Sequence, residues 1–190
     1  MTRARKKSFG AAASAAVTLA VTWPVPVTAS GLGAPVIEPI VLLERSRIAG
    51  CGVEAVFTGQ AGRLAISLTI VRDERGSSQR VVRGHWRNVD GIPRQISRIG
   101  IATSTRALMA PDDRWSTADD GAAQSREPAA TPGDWSAFGG LMQELLVGGG
   151  QITIHSPGGT ELRLALPGPA AHTVRSSYLN CAGDMFRDER

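Results

Sequence analysis

The chain has two cysteines, Cys51 and Cys181, 130 positions apart. No other feature restricts its folding as strongly. In a reducing compartment they are two unrelated thiols. In an oxidising one they have only each other as an intrachain partner, and a bond between them ties the last element to the first strands. Closing so long a loop stabilises a fold by roughly 4–5 kcal/mol in the chain-entropy view.

The N-terminus argues for the oxidising case. Arg3, Arg5, Lys6 and Lys7 form a basic region, and Gly10 to Trp23 is uncharged and rich in Ala and Val. Pro24 and Pro26 interrupt any helix, and Val27-Thr28-Ala29 places small residues at a cleavage position. Residues 1–29 therefore read as a secretory signal peptide. Residues 8–37 carry no charge, which is also a property of a retained membrane anchor. A spanning helix, however, needs about 20 continuous apolar residues, and Pro24, Pro26, Gly31, Gly33 and Pro35 break the run. The expected location is periplasmic or secreted, in a bacterium, with no transmembrane segment in the mature chain.

Removing the leader changes the electrostatics. Of 21 basic residues against 17 acids, four lie in the leader, including both lysines. Residues 30–190 then hold 17 arginines against 17 acids. The basic isoelectric point belongs to the leader, and it gives no support for nucleic-acid binding. The few aromatics show no interleaving with basic residues either.

The remaining residues are enough for one domain. Leu64, Ile66, Leu68 and Ile70 alternate with Ala65, Ser67 and Thr69, the period of a half-buried strand over 63–72. Cys51, Val53, Ala55 and Phe57 give a similar strand over 48–58, and Val82, Gly84 and Trp86 another over 80–87. Residues 40–43 read as an edge strand. Asp90-Gly91 signals a hairpin, with a further strand at 96–103. The expectation is a four-stranded antiparallel meander from Ile48 to Thr103.

Residues 105–133 are polar and rich in Ala, Pro and Asp. They read as a mobile insertion. After it, Trp135, Phe138, Leu141, Met142, Leu145 and Leu146 repeat at helical spacing, with Asp134 as the expected cap. A hairpin of strands 151–155 and 160–166 turns at Ser156–Gly159. A closing helix from Pro169 carries Ala171, Val174, Tyr178 and Cys181 on one face. The expected fold class is α+β: an antiparallel sheet, meander plus C-terminal hairpin, packed against one or two helices.

No stretch carries a recognisable catalytic motif. Gly148–Gly150 follows a helix and precedes a strand, the reverse of a phosphate loop, so it reads as a helix stop. His85, His155 and His172 lack a nucleophile elbow or paired metal-ligand spacing. His172 and Ser176 are side by side on a helix, an arrangement common by chance. Asp112-Asp113 and Asp119-Asp120 lack calcium-loop spacing. Ile48-Ala49-Gly50-Cys51 spells a lipoprotein box, but Glu44, Arg45 and Arg47 precede it where an apolar run is required. No cofactor and no metal site is expected.

Charge segregation rises above this background. Residues 63–106 hold nine arginines against three acids, and residues 107–161 two arginines against eight acids. One reading has the acidic segment lying over a basic sheet face and neutralising it. The other makes Arg83, His85, Arg87, Arg94 and Arg98 an anion-binding set, since guanidinium forks suit phosphate and carboxylate. The partner would be an envelope protein or an anionic glycan or lipid. The functional expectation is a non-catalytic envelope protein with a binding or structural role, and the alternative is a small periplasmic hydrolase with a histidine in its site.

Overall fold

Alternating apolar residues between 36 and 87 produce four consecutive antiparallel strands: β1 (Val36–Glu44), β2 (Arg47–Gly59), β3 (Gly62–Arg72) and β4 (Ser78–Arg87). A computed structural model describes residues 31–73 and 76–187; the expected signal peptide, residues 1–29, lies outside them. Then come β5 (Pro93–Arg94), β6 (Arg98–Ala102), β7 (Ala107–Met109), a 3-10 turn (Asp112–Arg114), β8 (Trp115–Thr117) and β9 (Ala123–Pro128). Helix α1 (Pro132–Gly148), β10 (Gly150–His155), β11 (Glu161–Leu166) and α2 (His172–Arg187) complete the order.

The strands form two antiparallel sheets. One runs β1-β2-β3-β4-β9-β8, with β5 also pairing with β4; the other runs β11-β10-β6-β7. The fold is α+β, mostly antiparallel strand with two helices. No helix among the described residues is long and apolar enough to cross a membrane.

Cys51, Phe57, Leu64, Ile66, Ile70 and Val82 on the first sheet join Ile99, Ile101, Ile152 and Ile154 of the second in a single core. Gly84 sets the approach between the sheets. A Cβ built there would overlap Ile99 Cδ1 and come within 3.0 Å of Ile66 Cδ1. A side chain at this position would separate the layers.

The expected meander is corrected in its last member. Strand β6 leaves the first sheet and pairs with β10, with Ile99 opposite Ile154 and Ile101 opposite Ile152. Strand β1 supplies the fourth meander strand instead. The strand expected at 96–103 is present as Arg98–Ala102, but the sequence pattern carries no information about its partner.

The expected mobile insertion over 105–133 is also corrected. It holds β7, β8 and β9, and β9 pairs with β4 from Gln79↔Pro128 to Gly84↔Ala123. Burial of Ala122, Ala123, Ser125 and Ala129 anchors it. Small side chains do this work, and a hydropathy reading passes over them.

Helix α1 starts earlier than expected. Thr131 is the N-cap, and Asp134 closes a capping box from N3: the Asp134 N–H donates to Thr131 Oγ1 at 3.2 Å, and the Thr131 N–H donates to Asp134 Oδ2 at 2.9 Å. Phe138, Leu141, Met142, Leu145 and Leu146 are buried. Helix α2 begins at His172 and continues beyond Cys181 to Arg187. Its buried stripe is Val174, Tyr178, Cys181 and Met185, while Ala171 is exposed.

Cys51 and Cys181 are bonded, with Cα atoms 5.8 Å apart. Both are buried. The bond fastens α2 to β2, against which the helix packs. It also leaves Cys51 no free sulfur for a lipid.

Candidate functional site

Strand register places each arginine. On β4, Val82, Gly84 and Trp86 point to the core, so Arg83, His85 and Arg87 point to the opposite, outer face of the first sheet. Arg94 pairs with Trp86 across β4 and β5, and its guanidinium stacks 4.7 Å from the Trp86 ring centroid. It is therefore on the other face from Arg83. Arg98 lies on β6, in the second sheet, where Nη1 pairs with Asp112 Oδ1 at 2.7 Å. The five residues thus divide into a set of three and two separate positions.

The acidic segment does lie over part of the basic face. The β8–β9 loop brings Asp120 onto Arg83 as an ion pair. The hydrogen bond from Arg83, then that from the Ala122 N–H, holds the Asp120 carboxyl below its ordinary range. Asp119 and Asp120 also wall a groove of about 710 Å³ on the outer face, floored by Ser67 and Thr69 of β3. Arg80 pairs with Glu127 of β9. Asp112 and Asp120, each from a carboxylate pair that lacks calcium-loop spacing, are thus engaged by arginines. Among the described residues no cluster of three or more His, Cys, Asp or Glu is arranged to hold a metal.

Past the reach of that loop the outer face changes character. Arg63 of β3 stands directly opposite Arg87 of β4, and both are exposed. Like charges directly opposite each other across strands are destabilising. Neither has an acidic partner among the described residues. The Arg87 Nε–H donates to His85 Nε2 at 3.1 Å, which orients the guanidinium along the strand. Arg83 contributes an Nε–H that is shielded and has no hydrogen-bond partner. Sequence reasoning missed Arg63. Its signal was the hairpin register, which sets Arg63 against Arg87 once Leu64 is paired with Trp86.

The histidines occupy three unrelated places. His85 accepts from Arg87, and His172 is exposed at the start of α2. His155 lines a depression of about 330 Å³ with Ser97, Arg98 and Asp112. The Ser97 hydroxyl donates to the His155 backbone carbonyl at 2.8 Å, while the ring Nε2 is shielded and unpartnered. Among the described residues no histidine ring is hydrogen-bonded to a serine, a cysteine or a carboxylate.

No family model, no curated protein and no solved structure matches this chain.

Proposed function

We propose that the protein is a non-catalytic envelope protein, exported through a signal peptide at residues 1–29 to the periplasm or cell exterior, where it binds an anionic glycan or lipid headgroup. The contact is the end of the β3–β4 hairpin on the outer sheet face: Arg63, His85 and Arg87, with Arg83 beside them. Arg94 and Arg98 lie elsewhere and take no part. The observation that carries this reading is the direct cross-strand opposition of Arg63 and Arg87, with no acidic partner for either among the described residues. An arrangement that costs the folded state free energy by itself is relieved when a phosphate or carboxylate bridges the two guanidinium groups. The buried Cys51–Cys181 bond supports an oxidising compartment.

The test uses residues 30–190 with two probes, vesicles carrying lipopolysaccharide and soluble polygalacturonate. Binding to at least one is expected at low salt and weakens at high salt. Arg63→Glu together with Arg87→Glu should weaken it at least tenfold, while Arg94→Glu leaves it unchanged. The proposal is overturned by no binding to either probe, or by a double variant that binds as the parent does.

A further inference from the structure

A second site lies on the other side of the first sheet. Helices α1 and α2 each carry two stripes. The core stripes are Phe138, Leu141, Met142 and Leu145 on α1, and Val174, Tyr178, Cys181 and Met185 on α2. Beside them run Trp135, Gly139 and Gln143 on α1, and His172, Arg175, Ser176 and Leu179 on α2. These second stripes face each other across a cleft of about 600 Å³, floored by Ile70 of β3. That volume is in the range of small-molecule sites, which are mainly apolar with a few converging polar groups.

The cleft has an apolar body and one cationic point. Trp135, Phe138, Leu146 and Val147 make the α1 wall, and Leu179, 65% exposed, stands at the edge on α2. Among the described residues Arg175 is the only arginine or lysine lining it. Its Nε–H is shielded from solvent and has no hydrogen-bond partner. A shielded donor left unpaired is unfavourable, so an acceptor placed there is favoured. Among the described residues no acid lines the cleft. The Ser176 hydroxyl is directed back to the His172 and Thr173 carbonyls at 2.9 and 3.1 Å. Gln143 and His172 also line the cleft, and the guanidinium is the one permanent charge among the described lining residues. Tyr178, also on the wall, is pushed up to about 12 by burial and stays a neutral phenol.

We infer that this cleft binds a single-chain alkyl carboxylate, with the chain between Trp135 and Leu179 and the carboxylate on Arg175. One unpaired guanidinium matches one singly charged carboxylate in fork geometry. The apolar walls exclude a wholly polar anion. This site is independent of the outer-face arginines, and neither reading needs the other.

The probes are laurate and dodecanol, which share a chain and differ in the anionic end, titrated below their aggregation concentrations and followed by Trp fluorescence. Laurate is expected to bind at least tenfold tighter than dodecanol. Arg175→Gln should remove that preference while leaving dodecanol unchanged. Gly139→Leu should weaken both at least tenfold, because a Cβ at Gly139 meets nothing within 4 Å and its side chain fills the cleft without disturbing the helix. The inference is overturned if the parent binds neither, if it binds both equally, if Arg175→Gln keeps the preference, or if sedimentation shows a second copy of the chain closing the cleft. The parent comparison needs no variant, so a poorly folding substitution cannot leave the question open.

Discussion

Arg106 lies across Gly140. A Cβ built on Gly140 would be 2.7 Å from the Arg106 Cζ. The arginine, just past β6, reaches over α1 to Glu144, its Nε–H donating to Oε1 at 2.9 Å. Thr103 and Thr105 hydroxyls donate to the same carboxylate at 2.5 and 2.7 Å. The glycine that weakens helix propensity is thus where the second sheet's extension rests on the helix.

The two neighbouring glycines should therefore respond differently to alanine. At Gly139 nothing obstructs a Cβ, so Gly139→Ala should stabilise by about 0.5–1 kcal/mol through helix propensity. At Gly140 the same gain is offset, since Arg106 must move off Glu144. Denaturant midpoints of the two variants, compared with the parent, check the difference.

Gly84→Ala should destabilise. The added methyl meets Ile99 Cδ1, Ile66 Cδ1 and Ile96 Cδ1 between the two sheets. Overpacking of this kind costs about 1–3 kcal/mol. Urea unfolding measures it, and an unchanged midpoint would mean the sheets separate more easily than their contact implies.

Stability should fall in acid. Hydrogen bonds from Arg83, Thr131, Thr103 and Arg163, respectively, hold Asp120, Asp134, Glu144 and Glu161 below their ordinary values. A carboxylate with a depressed folded value contributes stability above its unfolded value of about 4, and that contribution is lost as pH falls through the folded value. The denaturant midpoint should be level from about pH 7 to 5 and drop below about pH 4. Asp134→Asn should flatten the drop, because it removes the capping-box carboxylate.

Tyr178 is the chain's only tyrosine, so tyrosinate absorbance reports one group. Burial pushes it up to about 12, against about 10 in an unfolded chain. The raised folded value contributes stability that is full below about pH 10 and lost as pH rises through 12. A spectrophotometric titration should show ionisation near 12 in the native protein and near 10 in denaturant.

The elements legible in the sequence were those whose apolar residues repeat with a clear period. Alternation at Leu64–Ile70 located β3, and the Trp135–Leu146 spacing located α1, although its true cap is Thr131. The pairing of Cys51 with Cys181 followed from compartment and count. Strands β7 to β9 were not legible, because Ala122, Ala123 and Ser125 are buried by position rather than by hydrophobicity. The sheet change at β6 was not legible either, since a strand's period does not name its neighbour. Of the candidate site residues, the outer-face trio Arg83, His85 and Arg87 on β4 could be read from parity. Arg63 required register, and Arg175 required the juxtaposition of two helices distant in sequence.

The cleft between α1 and α2 depends on α2 being fastened to β2, which places the helix against the inner sheet face, and the same bond supports the oxidising compartment assumed for the outer-face reading. The most direct measurement is peptide mapping by mass spectrometry of unreduced, alkylated protein recovered from the cells that export it. The account predicts one cross-linked peptide pair holding Cys51 and Cys181 and no alkylated cysteine. Two alkylated thiols without prior reduction would contradict it.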